Sequence, residues 1–410
     1  MRILHTSDWH LGRSLYNRRR HAEFEAFLDW LADTIAANNV NALIVAGDVF
    51  DTGTPGNRSQ EMYYRFLCRM AGSSCRHVVA VAGNHDSASF LDAPKELLKA
   101  LDIHVVGGMS ADPADEVVVL RDGAGAAEMI VCAVPYLRDR DVRESEAGES
   151  GEDKERKLVA GIRAHYAAVV AAAAERRQCE GVTVPVVATG HLFAAGGLTS
   201  ANDGVRELYI GSLSRVPADA FPDAIDYLAL GHLHAPQRVG GSDTRRYSGS
   251  PLPMSFDEAE REKSVCLVDF GVVATPRVTL LPVPTFQRLE RVRGDWTAIA
   301  ARIARLAAEN ADAWLEVTHE GGEVVPDLRG KLEELTAGTT LAVVHARNGD
   351  LLRRALEQSH GGETLDDLDE TEVFERFLAD HDIPEADRAA LRLAHGEILQ
   401  TIRDADIRAE

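Results

Sequence analysis

Residues 2–10 read RILHTSDWH, a short apolar run that ends in small residues and is followed by Asp8 and His10. The same order recurs four more times: ALIVAG (42–47) precedes Asp48, VVAVAG (78–83) precedes Asn84, VPVVATG (184–190) precedes His191, and YLALG (227–231) precedes His232 and His234. Apolar runs of this length, bounded by turn residues, predict buried β-strands. Because open α/β sheets place their sites at the carboxyl ends of strands, the pattern predicts an α/β fold in which these side chains share one site.

The seven side chains at these strand ends are of types that bind metal ions. Carboxylate, amide and imidazole ligands suit Mn²⁺, Fe²⁺ or Zn²⁺, and the lack of thiolate argues against a structural zinc site. Asp8 and His10 are two residues apart, as are His232 and His234, and this spacing directs two side chains of an extended segment to one face. Two cations ~3.5–4 Å apart can hold a phosphoryl group and offset charge in its transition state. The sequence therefore predicts a two-metal hydrolase in which Asp48 bridges both ions.

A glycine stands directly before four of the ligand positions, at Gly47, Gly83, Gly190 and Gly231. Without a β-carbon, the backbone can approach its surroundings more closely than any other residue allows. We therefore expect the backbone and a bound metal ion to approach each other closely at these positions.

His85 follows Asn84 and is better placed for proton transfer than for coordination. Cleavage of a phosphodiester requires protonation of the leaving alkoxide, and imidazole titrates near working pH. Asp51 stands three residues after Asp48, and we expect it to orient or charge His85. His5 and His104 are expected to be packing or surface residues rather than ligands.

Length and composition set the class of protein. A chain of 410 residues predicts two or three domains, and 45% hydrophobic residues are enough for a substantial core. It contains no run of 18 apolar residues and begins directly with the first strand, so we expect no membrane span and no signal peptide. The five cysteines are dispersed and contain no CxxC pair, which favours the reducing cytoplasm.

The net charge of −21 runs against a nucleic-acid partner, because phosphate neutralisation dominates such binding. The excess is uneven, however: residues 350–410 carry 17 acidic and 7 basic side chains, a net of −10. Arginines cluster near the predicted site, and Arg13, Tyr16, Asn17 and Arg20 are candidates for contacts with a phosphate backbone. The alternative is that Arg18-Arg19-Arg20 is only a solvated helix start.

Three segments follow from the pattern along the chain. Residues 1–281 alternate strand-like and helix-like stretches, typical of a layered α/β domain, with helices at 21–37, 59–70 and 93–101 and, after a polar loop at 144–155, at 157–177. Residues 285–347 predict a βαβαβ unit that forms a small α+β capping domain. The acidic segment 350–410, with Pro384 before a predicted helix at 385–403, is expected to dock on a partner or else to be a solvated face.

These motifs together resemble the calcineurin-like metallophosphoesterases, in which DxH, GDxxD, GNHD, GH and GHxH follow one another in this order. Within that superfamily the chain is similar to the nuclease subunits of bacterial SbcCD-type complexes. The similarity is carried by RILHTSDWHLG (2–12), GDVFDTG (47–53), GNHDS (83–87), PYLRDRD (135–141), YIGSL (209–213) and GSPLPMSFD (249–257), and it continues in WLEV (314–317) and ELT (334–336). It therefore covers nearly the whole chain, and the last 60 residues match loosely.

The resemblance implies a set of roles. Asp8, His10, Asp48 and His234 would hold one metal ion and Asp48, Asn84, His191 and His232 the other, with His85 as the catalytic histidine. The ions would be Mn²⁺. The substrates would be double-stranded DNA ends and hairpins in replication, repair and recombination.

The resemblance also implies partners. These are a coiled-coil ATPase, which we expect to bind residues 350–410, and a second copy of the chain. The homodimer would form through helices near 59–70 and 93–101, although Met62, Tyr63, Phe66 and Met70 equally fit a core stripe. Archaeal and eukaryotic relatives tend to carry histidine in place of Asp51. The polarity with which this chain would cleave DNA, or its balance of exonuclease and endonuclease action, could therefore differ from theirs.

Two alternatives remain on the sequence. The first is a phosphoesterase of the same fold that acts on nucleotides or other small esters, which would not need the added domain and tail. The second is a non-catalytic scaffold, which would be expected to have lost ligand residues.

Overall fold

The computed structural model describes residues 1–144, 146, 148–194, 216–271, 275–320 and 325–349, and seven single residues between 374 and 395. The YIGSL motif and most of the predicted tail, including most of its helix at 385–403, lie outside the described residues.

Seventeen strands and eight α-helices are formed by the described residues. The strands are β1 (Arg2–Thr6), β2 (Ser14–Leu15), β3 (Arg18–Arg19), β4 (Ala42–Ala46), β5 (His77–Val81), β6 (Ile103–Val106), β7 (Val117–Arg121), β8 (Ala127–Cys132), β9 (Val186–His191), β10 (Tyr227–Gly231), β11 (Gln237–Val239), β12 (Ser242–Tyr247), β13 (Ser264–Asp269), β14 (Arg277–Pro282), β15 (Arg288–Gly294), β16 (Ala313–His319) and β17 (Leu341–Asn348). The helices are α1 (His21–Ala37), α2 (Asn57–Ala71), α3 (Ala88–Asp92), α4 (Lys95–Lys99), α5 (Asp139–Val142), α6 (Gly151–Glu180), α7 (Trp296–Ala308) and α8 (Leu328–Thr336).

The first sheet has the order β14-β13-β1-β4-β5-β6. Its four strands β1, β4, β5 and β6 are parallel to one another. Its central strand β4 is buried along its whole length. Leu43 and Val45 face helices α1 and α2, whereas Ala42 and Ile44 face the second sheet. A strand covered on both sides needs apolar residues on both faces, which is why ALIVA shows no alternation.

The second sheet has the order β11-β12-β10-β9-β8-β7. Its outer face is covered by α6, from which Tyr166, Val169 and Ala173 pack with Val186 and Leu228 in one core. The architecture is helix, sheet, sheet, helix, and the predicted layered α/β sandwich is confirmed.

Helix α6 is longer than the sequence predicts. Residues 151–155, expected in a polar loop, form its first turn, because the Ser150 hydroxyl accepts from the Asp153 amide and caps the helix. Among the described residues, α6 is the one helix long and apolar enough by composition to cross a membrane. Its Tyr166 hydroxyl, however, is buried and donates to the Thr189 carbonyl at 2.9 Å, as expected of a core helix.

The helix predicted at 93–101 is shorter in the structure, where α4 spans Lys95–Lys99 after Pro94, and a separate short helix, α3, precedes it. The stripe Met62, Tyr63, Phe66 and Met70 on α2 lies in the core of the chain. These four side chains are therefore buried within one copy of the chain. The prediction that they form the contact between two copies is wrong.

Beyond residue 285 the elements follow the predicted order β15, α7, β16, α8, β17, and the three strands form a sheet in that order. Asp295 caps α7, and Ile299, Ile303 and Leu306 line its buried face. The chain divides into two compact units, Met1–Arg291 with Asp312–Glu316, and Val292–Ala311 with the described part of Val317–Glu410. The domain boundaries at 281–285 and 347–350 stay a prediction.

Candidate metal centre

All five strand ends singled out in the sequence meet in the first compact unit. Three belong to parallel strands of the first sheet, β1, β4 and β5, and two to neighbouring parallel strands of the second sheet, β9 and β10. We call the seven side chains that follow them the donor cluster: Asp8, His10, Asp48, Asn84, His191, His232 and His234. The sequence did not show that the cluster is shared between two facing sheets.

Glycine permits this meeting of sheets. A β-carbon on Gly231, in the second sheet, would lie 1.9 Å from the carbonyl oxygen of Ala46 in the first sheet. A β-carbon on Gly83 would lie 2.1 Å from Oδ1 of Asp48. Real β-carbon contacts are essentially never this short, so glycine at these two positions admits the facing strand and the Asp48 side chain. Close approach of a metal ion to the glycines stays a prediction.

Four members of the donor cluster have left-handed backbone conformations, with φ of 54° at Asp8, 48° at His10, 51° at Asp48 and 100° at His232. Such conformations cost on the order of 1–3 kcal/mol for residues with a β-carbon and persist where surrounding structure imposes them. Here the two loops after β1 and β4 are tied together, because the Asp8 and His10 amides donate to the carbonyls of Gly47 and Asp48, both at 3.0 Å. The strained turns aim the side chains inward.

The first group of donors is Asp8, His10 and His234, all buried. The Nε2 atoms of His10 and His234 are 3.1 Å apart, and Nε2 of His10 is 3.5 Å from Oδ2 of Asp48. Nδ1 of His234 lies 3.2 Å from Oε1 of Glu258, so this nitrogen carries the proton and Nε2 presents a lone pair.

The second group is centred on Asp48, His191 and Asn84. Nε2 of His191 lies 3.3 Å from Oδ2 of Asp48 and 3.0 Å from Oδ1 of Asn84. Nδ1 of His232 is also 3.0 Å from that amide oxygen. Because Nδ1 of His191 donates to the Ala46 carbonyl at 3.0 Å, its Nε2 is an acceptor whenever the ring is neutral.

In both groups, ring nitrogens and carboxylate or amide oxygens therefore lie within 3.5 Å of one another. Buried acceptors at such distances need a proton or a cation. Burial and the nearby His191 lower the pKa of His232 to about 3, and burial lowers that of His10, so both rings are neutral. Burial opposes the charged form of His191 as well, but the Asp48 and Asp8 carboxylates outweigh it and raise its pKa to about 9.

Asp48 is a buried carboxylate of the cluster. Burial alone would raise its pKa, but the charge of His191, together with a hydrogen bond from it, holds the pKa well below its usual value. Its Oδ1 also accepts from the His85 amide at 2.9 Å. A buried carboxylate pair, Asp8 and Asp48, set among four imidazoles is a donor set that fits divalent cations.

His85 lies beside the donor cluster and is half-buried. Its ring is 4.8 Å, centroid to centroid, from that of His10, and its Nδ1 is 2.9 Å from the main-chain carbonyl of Asp51. The contact of Asp51 with His85 is therefore made by its main chain, and an orienting role for Asp51 stays a prediction. The Asp51 carboxylate lies 3.4 Å from Nδ1 of His10 and 3.0 Å from Arg13; burial would raise its pKa, but these two partners hold it at about 2.

Sequence reasoning missed two residues that support the cluster. The buried carboxylate of Asp86 accepts from the amides of Val49, Phe50 and Gly83, and so ties the loop after β4 to the loop after β5. Its position in the GNHD motif was the available signal. Burial and the neighbouring Asp48 charge raise the pKa of Asp86 to about 6.

The second is Glu258, which lies more than 200 residues after the first ligands. It holds His234 through Oε1 and is itself held by Lys263, whose ammonium lies 2.5 Å from Oε2. Partners of this kind fix the ring orientation of a ligand histidine. No local sequence signal marks the pair.

The four predicted DNA contacts have different surroundings. Tyr16 and Asn17, with φ of 46° and 65°, form the turn between β2 and β3, and the Tyr16 hydroxyl donates to Glu316 at 2.5 Å. Arg13 is bound to Asp51 and to the Met254 carbonyl. A role for these three residues in DNA binding stays a prediction.

Arg20 does not fit a DNA contact. Its guanidinium is buried, forms two hydrogen bonds with the Glu23 carboxylate at 2.9 and 2.7 Å, and donates to the Pro253 carbonyl at 2.7 Å. The alternative of a solvated helix start is wrong for Arg20 as well. It is a structural ion pair.

Arg20→Met is expected to lower the free energy of unfolding by about 3 kcal/mol or more, because it leaves the buried Glu23 carboxylate without its partner. Urea unfolding measures the loss. Arg19→Met, at an exposed neighbouring position, is the matched control and should unfold close to wild type. Equal midpoints for the two variants would contradict the structural role.

Comparison with known families agrees with the site. The calcineurin-like phosphoesterase family matches residues 1–126, and the type 5 capsule protein repressor C-terminal domain family (SbcD_C) matches residues 285–382. The SbcD subunit of the SbcCD nuclease from Escherichia coli is 39% identical over 404 residues, which covers 98% of this chain and 98% of that protein. Proteins of the same name from Rhodobacter capsulatus and Bacillus subtilis are 41% and 35% identical, over 69% and 66% of this chain and 70% and 66% of theirs.

Fold, donor cluster and family together define a calcineurin-like phosphoesterase, an enzyme that uses divalent metal ions to cleave phosphate esters. At 39% identity over almost the whole of both chains, the chain belongs to the SbcD family of nuclease subunits. It is a metal-dependent phosphodiesterase.

Proposed function

We propose that the donor cluster binds two Mn²⁺ ions and that the chain is the DNA-cleaving component of an SbcCD-type complex. Asp8, His10, Asp48 and His234 would hold one ion, and Asp48, Asn84, His191 and His232 the other. The observation that carries the proposal is the convergence of these acceptors from five strand ends, with Asp48 within 3.5 Å of both His10 and His191.

Bound divalent ions supply positive charge for the phosphoryl group and a water of lowered pKa. The chain's own contribution to proton transfer is His85. The Asp51 carbonyl, 2.9 Å from Nδ1, sets the tautomer in which Nδ1 carries a proton, so Nε2 faces away from that contact. In its protonated form the ring can donate from Nε2 to the leaving oxygen. Because the anchor is a main-chain carbonyl, the ring stays oriented whatever side chain stands at Asp51.

DNA as substrate is supported by the names of relatives that cover this chain from end to end. Ends and hairpins in replication, repair and recombination follow from the family resemblance, and so does a coiled-coil ATPase of the SbcC type on residues 350–410. A place in the reducing cytoplasm is supported by the five cysteines, which lie apart and form no disulfide. Association with the nucleoid follows from the family resemblance.

A homodimer is supported by the surface near α4. Leu97 on α4 is 72% exposed, and Leu101, four residues later, is 44% exposed. Adjacent exposed leucines of this kind can mark a protein–protein contact surface. Contact between copies would cover them. The face of α2 that remains exposed carries Arg58, Arg65 and Arg69 instead.

His85→Ala is expected to retain two Mn²⁺ ions and to cleave labelled hairpin DNA about 10²–10³-fold more slowly than wild type, because it lacks only the proton donor. The measurement pairs metal analysis with single-turnover cleavage, with and without the ATPase. His345→Ala, at a strand position in the second compact unit, is the control. Unchanged cleavage by His85→Ala would remove this residue from the mechanism.

The same cleavage assay, applied to two substrates, distinguishes a DNA nuclease from an enzyme that acts on small phosphate esters. Wild type should cleave hairpin DNA in Mn²⁺, and activity confined to p-nitrophenyl phosphate esters would reject the nuclease assignment in favour of a small-ester enzyme. Purified protein that holds no metal and cleaves neither substrate would instead indicate a scaffold.

A further inference from the structure

A second group of metal-binding side chains lies at the other end of the first sheet. His77 begins β5, Asp102 directly precedes β6, and His104 is the second residue of β6. The strands are parallel, with Val79 opposite His104. Residues two apart on a strand share a face, so His77 and His104 lie on one face of the sheet. The donor cluster is at the opposite, carboxyl ends of the strands.

His77 is the buried member, with 6% of its surface exposed. Its Nε2 is 2.8 Å from the carbonyl oxygen of Arg121, at the end of β7 in the second sheet. A carbonyl can only accept, so Nε2 carries the proton and Nδ1 presents a lone pair. That buried Nδ1 has no hydrogen-bond partner among the described residues.

This arrangement is that of a histidine prepared for a metal ion. Ligand histidines in proteins donate their other ring N–H to a carbonyl or carboxylate, which fixes the tautomer and the ring orientation. A buried acceptor without a partner costs free energy, and native structures rarely contain one. A cation at Nδ1 of His77 would satisfy it.

The two companions complete a set of three. One ligand atom from each of His77, Asp102 and His104 lies within 4.8 Å of the other two. Ligands at Zn²⁺ distances of 2.0–2.2 Å are roughly 3.3 Å apart in tetrahedral geometry, which a rotation of the exposed Asp102 side chain can reach. His104 is half-buried and Asp102 is exposed, so the set is open on one side to a fourth ligand such as water.

We propose that His77, Asp102 and His104 bind a divalent transition-metal ion of the Zn²⁺ class, separate from the catalytic ions. Two imidazoles and a carboxylate are a ligand set that Zn²⁺ accepts. The ion joins β5 and β6 of the first sheet and, through His77, the Arg121 carbonyl of the second sheet. It therefore fastens the two sheets at the end remote from the donor cluster. The sequence predicted no ligand role for His104, because its buried partner His77 comes from another strand.

The test counts bound zinc in the full-length protein after chelation, reconstitution with Zn²⁺ alone and dialysis. His104→Gln and Asp102→Asn change half-buried or exposed side chains, so both variants should fold. Each should retain about one equivalent less zinc than wild type, as loss of one of three ligands predicts. His345→Gln is the matched control and should retain the wild-type amount. Equal zinc in all four proteins would overturn the proposal.

To exclude zinc bound by the donor cluster, the zinc measurement is repeated in Asp48→Asn. That protein should keep about one equivalent, and Asp48→Asn combined with His104→Gln should keep none. A second readout is thermal unfolding, because an ion bound only to the folded state raises Tm. Zn²⁺ should raise the Tm of Asp48→Asn and leave that of the double variant unchanged. An equal rise in both would place the ion elsewhere and overturn the proposal.

Discussion

Asp48→Asn is expected to lose both catalytic ions and to slow DNA cleavage by about 10⁴-fold or more, because one carboxylate serves both halves of the donor cluster. Its Oδ2 is 3.5 Å from Nε2 of His10 and 3.3 Å from Nε2 of His191. An amide in its place brings N–H groups where the ions require oxygen lone pairs. The size of the side chain is preserved, so the effect is one of charge and donor chemistry.

Metal analysis and single-turnover cleavage measure the two losses together. Asp122→Asn is the matched control, since Asp122 caps the amides of Ala124 and Ala126 in an exposed turn, a role that asparagine can fill. Retention of two ions by Asp48→Asn would show that Asp48 does not bridge them.

Gly231→Ala is expected to destabilise the fold by about 3 kcal/mol or more and to empty the metal site, although no ligand is changed. The new β-carbon would lie 1.9 Å from the Ala46 carbonyl oxygen and 2.9 Å from Nδ1 of His191. The first contact is with backbone of the facing sheet, which cannot rotate away. The sheets must separate there, and His232 and His234, which follow Gly231, move with β10.

Urea unfolding and bound metal after dialysis test this result. Gly123→Ala is the control, because a β-carbon at Gly123 meets no atom within 4 Å and needs no left-handed backbone. If Gly231→Ala kept wild-type stability and both ions, close approach of the sheets would not be what assembles the site.

Much of the site could be predicted from the sequence, because each part of it is encoded in one short segment. Each ligand follows its own strand directly, so the run ALIVAG predicts both the buried strand and the place of Asp48. Helix α1 was predicted at its observed bounds, His21–Ala37, since Phe24, Phe27, Leu31 and Ile35 repeat at helical spacing. Residues 285–347 likewise alternate strands and helices in the predicted order.

Contacts between segments far apart along the chain could not be predicted from the sequence. The prediction that Asp51 orients His85 did not foresee that the contact is made by the main-chain carbonyl, while the carboxylate binds His10 and Arg13. The prediction of a DNA contact was wrong at Arg20, whose partner Glu23 is near in sequence but whose guanidinium also binds the distant Pro253 carbonyl. Glu258 and Lys263 behind His234 carry no local pattern at all.

By itself the sequence determined the strands, the ligand types at their ends and therefore the class of chemistry, because periodicity and side-chain type are properties of short segments. Only the tertiary structure decided that the strands divide between two facing sheets and how close those sheets come at Gly231. It alone decided which tautomer each histidine adopts, as at His77 and His234. Those features depend on distances between atoms far apart along the chain, and no short segment encodes such distances.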